Sequence, residues 1–351
     1  MDEPLIAAKK PCLAALVEGR SYLWCACGRS AKQPFCDGSH AGTGIRPVKF
    51  IAQETDEELL CACKRTKTPP YCDGSHNALS ASYGAPMEAP AAAAKLVAMA
   101  RGPDADLRAR LDNDCFVIRE GGASVLQSGG LELVQVIGAP DGAKRLSQFV
   151  GALVPGAGPP VSVGPSDAVI FVISGAGAVC IGDRRFPLSP HCGAYVRRGE
   201  TFRLVADTPM IFNLTVCPLG PLPVAVDAPR LNFDDAVQDR VAPVDPAKKS
   251  EMGDRYYQVL IDHEKHGADV TLFIGQIPQS RAAHHRHLYE ETLTILSGKG
   301  FMWTDDTKAE IAAGDTIFLP RKQSHSVECV SPEGMTLVGA FYPSMSPAIN
   351  Y

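Results

Sequence analysis

The chain has 351 residues, of which 45% are hydrophobic and 21% charged, and its formal net charge is −5. This balance is typical of folded domains, and the length suffices for two or three of them. The acidic charge excludes an electrostatic basis for binding nucleic acid or an anionic membrane surface. Abundant glycine (32) and proline (28), with only 7% aromatic residues, favour turn-rich β structure over long helices.

The N-terminal segment and the cysteines indicate the compartment. The first residues, MDEPLIAAKKP, contain acidic side chains and proline without an apolar stretch, so they do not resemble a secretory signal. No apolar run reaches the roughly 18 residues of a membrane span. We therefore expect a cytoplasmic protein without a membrane partner, in which the 12 cysteines serve metal or redox chemistry rather than disulfides. Six are scattered singly and are expected to be small apolar residues of the core: Cys12, Cys115, Cys180, Cys192, Cys217 and Cys329.

A duplicated motif contains the other six cysteines. Residues 25–40 read CACGRSAKQPFCDGSH, and residues 61–76 read CACKRTKTPPYCDGSH, at an offset of 36 throughout. Thiolates with one imidazole suit an iron–sulfur cluster or a zinc ion. The glycine in each DGSH segment permits a tight turn, so that a cysteine and a histidine four residues apart can face the same metal. Ligand chemistry alone leaves a pair of closed zinc sites open as an alternative.

Both copies resemble the CDGSH iron–sulfur (NEET) family, whose pattern Cys-x-Cys-x2-Ser/Thr-x3-Pro-x-Cys-Asp-Gly-Ser-His is complete in each. The likeness spans about residues 9–80 and favours iron–sulfur clusters over zinc. It implies a small α+β domain at residues 1–80 with two acid-sensitive, redox-active [2Fe-2S] clusters. The ligands implied by the resemblance are Cys25, Cys27, Cys36 and His40 for the first cluster, and Cys61, Cys63, Cys72 and His76 for the second.

Residues 81–112 are predicted to be a linker, because their first part is rich in Ala, Pro and Gly and lacks periodicity; one short helix is expected around residues 91–111. From Cys115 onward, short apolar runs alternate with Gly, Pro and Asp, which is typical of a β-sandwich or barrel. A second duplication, with an offset of 123, relates ISGAG at 173–177 to LSGKG at 296–300. We therefore predict two related β domains, at residues 113–230 and 231–351.

The second β domain contains a potential metal site. The series His285-x-His287-x3-Glu291-x6-Gly298, followed by Gly314-x5-Pro320-x4-His325, resembles the two motifs of the cupin superfamily. The resemblance implies a double-stranded β-helix (jelly-roll) and a mononuclear metal. Strand alternation places His285 and His287 on one face, and Glu291 and His325 from neighbouring strands would complete the ligand set.

Two departures and several alternatives accompany this assignment. Lys322 stands where the cupin motif usually has glycine, and Cys329 where it often has asparagine. The histidine-rich segment is locally polar and could be a surface loop, and His284 is an alternative ligand. Two further histidines, His263 and His266, lie in a polar turn and are expected to be solvated.

The first β domain offers no equivalent ligand set. At the offset of 123, Ser162, Gly164 and Ala168 stand at the positions of the first three ligands. Glu200 is the only plausible ligand near the fourth, and His191 is unaccompanied in a turn. A metal-free structural cupin is predicted, which makes the chain a bicupin with one site.

The combination suggests a redox enzyme. A one-electron relay beside histidine and carboxylate ligands favours Fe(II) and O₂ activation, hence a non-haem iron oxygenase or dioxygenase acting on a small organic substrate. Tyr289, Met302 and Trp303 are candidates to line its pocket, with core packing as the alternative. A reductase or ferredoxin is the expected redox partner, and a homodimer is plausible. Two other functions remain open: a redox or iron-status sensor with a ligand-binding cupin, and a redox-neutral cupin enzyme with regulatory clusters.

Overall fold

The structure, a computed structural model, describes residues 3–53, 55–73, 75–79, 94–98, 107–119, 121–229 and 232–348. Contacts between Cα atoms divide the chain into two units, Met1–Ala85 with Ala348–Tyr351, and Pro86–Pro347. Within the described ranges, no helix has the length and apolar character needed to cross a membrane.

The first unit is built from two short antiparallel sheets. Strand β1 (Cys12–Leu16) pairs with β4 (Asp56–Leu60), and β2 (Ser21–Trp24) pairs with β3 (Val48–Ile51). Among the described residues of this unit, the helical part of the predicted α+β domain is one 3-10 helix, Ser75–Leu79. Each cysteine motif begins directly after a strand, the first after β2 and the second after β4. The two copies of the duplication thus start from equivalent places in the fold.

In the described part of the second unit, the regular secondary structure is almost entirely β-strand. Those in its first half are β5 (Lys95–Leu96), β6 (Arg108–Arg110), β7 (Phe116–Ile118), β8 (Ala123–Ser128), β9 (Leu131–Ile137), β10 (Ser147–Leu153), β11 (Gly156–Ser162), β12 (Asp167–Ser174), β13 (Gly177–Ile181), β14 (Arg184–Leu188), β15 (Cys192–Val196), β16 (Thr201–Ala206), β17 (Met210–Cys217) and β18 (Val224–Ala225). Those in its second half are β19 (Val241–Pro243), β20 (Ser250–Met252), β21 (Arg255–Ile261), β22 (Thr271–Ile277), β23 (Glu290–Ser297), β24 (Lys299–Trp303), β25 (Thr307–Ala312), β26 (Thr316–Leu319), β27 (Ser326–Cys329) and β28 (Met335–Tyr342). The helices are short: α1 (His263–His266) and the 3-10 turns Asp112–Asp114, Ala139–Asp141 and Pro246–Lys248.

These strands form four sheets, two for each jelly-roll. The first jelly-roll has sheets in the order β19-β15-β12-β17-β10-β9-β8 and β14-β13-β16-β11-β18. The second has β20-β21-β22-β28-β23-β26-β7-β6 and β27-β24-β25-β5. Neighbouring strands are antiparallel except for β5 and β25. This confirms the predicted mainly β, jelly-roll fold.

The larger sheets of the two jelly-rolls are buried on both faces. Along β12, Ala168, Ile170 and Val172 point into the interior of the first jelly-roll. The alternate residues, Val169 and Phe171, belong to a second apolar core shared with strands of the other jelly-roll. Because both faces are covered, the strand reads as an uninterrupted apolar run instead of alternating.

Strands exchanged between the jelly-rolls correct the predicted boundaries. Strand β7 pairs with β26, and β6 with β7, so residues 107–119 belong to the second jelly-roll and not to the linker and the first β domain. Conversely, β19 pairs with β15 of the first jelly-roll, although it lies beyond residue 230. The helix expected around residues 91–111 falls largely on 91–93 and 99–106, outside the described residues. Its described parts, 94–98 and 107–111, contain β5 and β6.

Candidate metal centres

The cupin site begins with two paired backbone segments. His285 and His325 lie opposite each other in a β-bridge, with N–H to carbonyl distances of 3.0 and 2.8 Å in the two directions. His287 follows two residues later on the same side, so that alternation brings its ring beside the other two, at centroid distances of 4.8 and 4.9 Å. The ligand atoms of the three imidazoles lie within 4.8 Å of one another.

The fourth predicted ligand, Glu291 of β23, lies beside one member of this group but outside the set whose ligand atoms all lie within 4.8 Å of one another. Its Oε2 lies 3.6 Å from Nε2 of His287. The preceding residue, Glu290, faces the opposite way and accepts hydrogen bonds from the backbone N–H groups of Lys144, Arg145 and Leu146, at 2.9, 2.7 and 3.0 Å. Strand alternation therefore points the two adjacent carboxylates in opposite directions. Glu291 faces the histidines, and Glu290 holds a loop of the first jelly-roll.

Hydrogen bonds orient two of the imidazoles for metal binding. Nδ1 of His285 lies 2.9 Å from the carbonyl of Ala283, and Nδ1 of His325 lies 2.8 Å from that of Gln323. A carbonyl only accepts, so each Nδ1 carries the proton and each Nε2 keeps its lone pair free for a cation. This arrangement fits a bound metal ion.

Burial shapes the charge of the site. Desolvation lowers the pKa of His285 to about 4 and also lowers the pKa of His325, while it raises the pKa of Glu291 to about 8. These two imidazoles are thus neutral at pH 7, as a metal requires. A divalent cation would stabilise the ionised form of the buried Glu291 carboxylate.

The three predicted pocket residues have different surroundings. Tyr289 is 2% exposed and stacks between His287 and Phe341, at centroid distances of 4.5 and 3.8 Å, so it forms a wall beside the ligands. Met302 lies in the same apolar core as Tyr289. Trp303 alternates with Met302 along β24 and faces outward, where its indole N–H donates to Glu328 at 2.7 Å. Contrary to the prediction, Trp303 does not line the interior.

The remaining histidines lie outside the ligand group. Nε2 of His284 lies 3.3 Å from the carbonyl of Thr304, and its Nδ1 faces the Arg281 guanidinium at 3.4 Å. Contrary to the expectation of a solvated turn, His266 is only 5% exposed, and its Nδ1 lies 3.3 Å from the backbone N–H of Asp262 and 3.7 Å from the Asp262 carboxylate. His263 remains exposed.

The first jelly-roll has no comparable site in its described part. Glu200, the candidate ligand in this domain, accepts hydrogen bonds from the guanidinium of Arg240 at 2.7 and 2.8 Å, and both side chains are buried. His191 stacks on Phe171 at a centroid distance of 6.0 Å. These contacts give both residues structural roles.

In the first unit, the ligands predicted for each cluster form close pairs. The Sγ atoms of Cys25 and Cys27 lie 3.7 Å apart, and those of Cys61 and Cys63 lie 3.5 Å apart. Nδ1 of the histidine lies 3.2 Å from the third sulfur in both copies, His40 from Cys36 and His76 from Cys72. Such sulfur-rich pairs suit an iron–sulfur cluster.

The repeated residues between the ligands hold the loops. Asp37 accepts hydrogen bonds from the N–H groups of Ala31 and Ser39, at 2.8 and 3.0 Å. Asp73 does the same for Lys67 and Ser75, at 2.7 and 3.0 Å. The hydroxyls of Ser30 and Thr66 donate to the carbonyls of Phe35 and Tyr71, respectively. The duplication therefore preserves the loop as well as the ligands.

Three residues that sequence reasoning missed connect the two motifs. They are Trp24, Gln33 and Lys64. The indole of Trp24 donates a hydrogen bond to the carbonyl of Cys61 in the second motif, and Lys64 of the second motif donates to Gln33 of the first and to Cys61 of its own motif. A signal existed in the sequence, because Lys64 interrupts the repeat at the position where the first copy has Gly28.

Comparisons with known proteins agree with both domains. The family model described as an iron-binding zinc finger of CDGSH type matches residues 5–41, and the model of the cupin domain matches residues 275–341. CDGSH iron-sulfur domain-containing protein 3, mitochondrial, of Homo sapiens is 58% identical over 53 residues, which are 14% of this chain and 42% of that protein. The Mus musculus protein of the same name is 56% identical over 55 residues, 15% of this chain and 40% of that protein. The chain thus spans less than half the length of these curated relatives.

Solved structures resemble the jelly-roll region. Protein Ylba from E. coli is 14% identical with a TM-score of 0.52, covering 68% of this chain and 95% of that one. A point mutant of oxalate decarboxylase from Bacillus subtilis is 15% identical with a TM-score of 0.51, covering 67% and 78%. Procruciferin, an 11S globulin of Brassica napus, is 9% identical with a TM-score of 0.53, covering 67% and 85%. At these identities the likeness establishes the fold alone.

Proposed function

Because the chain carries a CDGSH iron–sulfur domain at its N-terminus and a cupin domain at its C-terminus, we propose that it is a non-haem iron oxygenase acting on a small organic substrate with O₂. The proposal includes two [2Fe-2S] clusters that deliver electrons to the cupin metal. The observation that carries it is a group of three imidazoles, two of them buried, with the Glu291 carboxylate 3.6 Å from His287, in the same chain as two complete Cys₃His motifs. When bound, Fe(II) at such a site supplies open coordination positions, and the clusters supply single electrons.

The side chains around the site prepare it for this chemistry. His285, His287, His325 and Glu291 would hold the iron, and the carbonyls of Ala283 and Gln323 keep two of the imidazoles in the metal-binding tautomer. Tyr289 closes one side with an almost fully buried ring. A dry wall next to the ligands strengthens electrostatic interactions within the site and keeps reactive species away from water.

Electrons for the reaction would enter through a reductase or a ferredoxin. This partner is proposed from the chemistry alone, because a cluster that passes on electrons must be reduced again by a donor. A cytoplasmic location also remains a proposal, and the two mammalian relatives carry the word mitochondrial in their names.

Oxygen uptake tests the proposed function. Protein loaded anaerobically with both kinds of metal is expected to consume O₂ only when a suitable small organic substrate is present. His285→Ala should abolish this uptake because it removes a ligand atom. His284→Ala is the matched control and should leave the uptake unchanged, since the ring of His284 faces the carbonyl of Thr304. If reduction of the clusters never changes the redox state of the cupin metal, the electron-delivery part of the proposal is wrong.

A redox-neutral metal enzyme is the second candidate. It is supported by the structural likeness to oxalate decarboxylase of Bacillus subtilis, a protein with Mn(II) centres, at 16% identity and a TM-score of 0.53. In that case the clusters would regulate the enzyme. Mn in the cupin, with turnover that takes no electrons from the clusters, would favour this candidate. An empty cupin with clusters that cycle reversibly would instead favour a sensor.

A further inference from the structure

Position 64 is where the two cluster motifs differ most in chemistry. The offset of 36 aligns it with Gly28, and both residues adopt a left-handed backbone, with φ of 61° for Lys64 and 77° for Gly28. At Gly28 a side chain is impossible, because a Cβ would lie 1.8 Å from the carbonyl oxygen of Leu5. The second copy instead places a long cationic side chain on a backbone that L-residues seldom adopt.

The Lys64 side chain runs back between the motifs. Only 8% of the residue is exposed, and its Nζ donates to the carbonyl of Cys61 at 2.9 Å and to Oε1 of Gln33 at 2.8 Å. It also lies 4.6 Å from the centre of the Trp24 ring, which is favourable for a cation. Contacts to both halves of the duplication therefore fix the ammonium group.

Two further hydrogen bonds extend this link to the ligands. Nε2 of Gln33 donates to Sγ of Cys25 at 3.4 Å, and the indole N–H of Trp24 donates to the carbonyl of Cys61 at 2.8 Å. A continuous series therefore runs from a ligand sulfur of the first motif, through Gln33 and Lys64, to the backbone of a ligand of the second.

The ammonium has no carboxylate partner in the described part of the chain. The groups that could become negative and act on its charge are cysteine sulfurs, those of Cys25, Cys61, Cys12 and Cys27. A buried charge without a counter-charge is costly. Two ferric ions, two sulfides, three thiolates and a neutral imidazole sum to one negative charge per cluster, and each reduction adds another, so the loaded domain supplies the missing counter-charge.

We propose that Lys64, positioned by Gln33 and Trp24, is a shared positive charge that raises the reduction potentials of both iron–sulfur clusters. A cation stabilises the more negative, reduced form of each cluster more than the oxidised form. The hydrogen bond from Gln33 to the Cys25 sulfur acts in the same direction on the first cluster. The inference rests on the proposed presence of two clusters.

The test is spectroelectrochemical titration of the full-length, cluster-loaded protein. Lys64→Met keeps the length of the side chain and removes its charge. At a fixed applied potential, the ratio of reduced to oxidised cluster is expected to fall about tenfold for both clusters, equivalent to about 59 mV for one electron. Lys64→Arg should restore most of the difference. Lys67→Met, which changes an exposed lysine of the same loop, should have no effect.

A second variant separates the two clusters. Gln33→Leu removes the hydrogen bond to Cys25 and should lower the potential of the first cluster more than that of the second. The first cluster is recognised by the change that His40→Cys makes in its spectrum. If Lys64→Met fails to retain iron, the result for Gln33→Leu tests the inference instead. An unchanged reduction potential of the first cluster in Gln33→Leu would overturn the inference.

Iron and sulfide analysis of the unchanged protein distinguishes failure of this inference from failure of the proposed function. Zinc in place of iron and sulfide would overturn both. Intact clusters whose reduction potentials are the same in Lys64→Met and Gln33→Leu as in the unchanged protein would overturn only the role of these two residues. The proposed reaction with O₂ would not be affected by that result.

Discussion

Burial acts in opposite directions on the imidazoles and the carboxylate of the cupin site. His285 and His325 lose their protons more readily than free histidine, whereas Glu291 retains its proton up to about pH 8. With the proposed ligand set, metal binding near neutral pH would therefore displace a proton from Glu291 but none from these two imidazoles. The carboxylate thus controls how the affinity for metal depends on pH.

The number of protons released on metal binding measures the effect of Glu291 on metal affinity. Metal binding at pH 7 is expected to release close to one proton, and the affinity should keep rising up to about pH 8, the pKa of Glu291. Glu291→Gln should eliminate this release and weaken binding by more than the about 10–100-fold that loss of an outer partner costs. Calorimetry in two buffers of different ionisation enthalpy gives the proton count, and an unchanged count in Glu291→Gln would contradict the prediction.

The raised pKa of Glu291 should also make the stability of the metal-free protein depend on pH. Between its unfolded value of 4.5 and its folded value of about 8, Glu291 binds more proton in the folded state than in the unfolded state. This contribution to the free energy of unfolding therefore falls as the pH rises. The lowered pKa of His285 acts in the opposite sense, but only below about pH 6.5. Denaturant titrations from pH 6.5 to 8 should show a fall in stability that Glu291→Gln removes.

The histidines of the two proposed clusters differ in exposure. His76 is only 7% exposed and burial lowers its pKa, whereas His40 is more accessible to solvent. Protonation of an imidazole ligand breaks its bond to the metal, so the first cluster should be lost at a higher pH than the second. Visible absorbance followed during acidification should show two steps. His40→Cys should remove the earlier step and His76→Cys the later one; a single step in the unchanged protein would be the contrary result.

At the scale of elements, each jelly-roll depends on strands from the other part of the chain. Strand β7 closes one side of the second jelly-roll beside β26, and the apolar residues of these strands contribute to the core between the two jelly-rolls. Arg119, directly after β7, forms an ion pair with the buried Asp315 at 2.7 Å. Stability of the metal-bearing jelly-roll is therefore expected to depend on residues some 170 positions upstream of its first ligand.

Phe116 of β7 tests this dependence. Its ring is fully buried, 5.4 Å from that of Phe318, so Phe116→Ala should lower the free energy of unfolding by about 3–5 kcal/mol through loss of burial and formation of a cavity. Phe301→Ala, at a partly exposed position of β24, is the matched control and should cost much less. Denaturant unfolding with both variants gives the comparison, and equal effects would show that the exchanged strand contributes little.

For the whole molecule, the proposal implies a definite amount of iron. Two [2Fe-2S] clusters and one mononuclear site predict about five irons per chain. His285→Ala should reduce this to about four, and Cys36→Ala to about three, because a mononuclear ion and a cluster are lost separately. Metal analysis with EPR of anaerobically purified protein gives the count. Retention of iron by Cys36→Ala would contradict the assignment of this ligand.

The amino-acid sequence was enough to identify the fold class and to predict the ligand sets, because both depend on residues that are close together in the chain. Cysteines and histidine within 16 residues must lie close together, and strand alternation alone brings His285 and His287 to one side. Tertiary structure decided which jelly-roll each strand joins, that Trp303 faces outward, and that Lys64 and Gln33 meet between the motifs. These features arise from contacts between residues far apart in the chain, where several pairings satisfy the same local pattern and only the packing of the whole unit selects one.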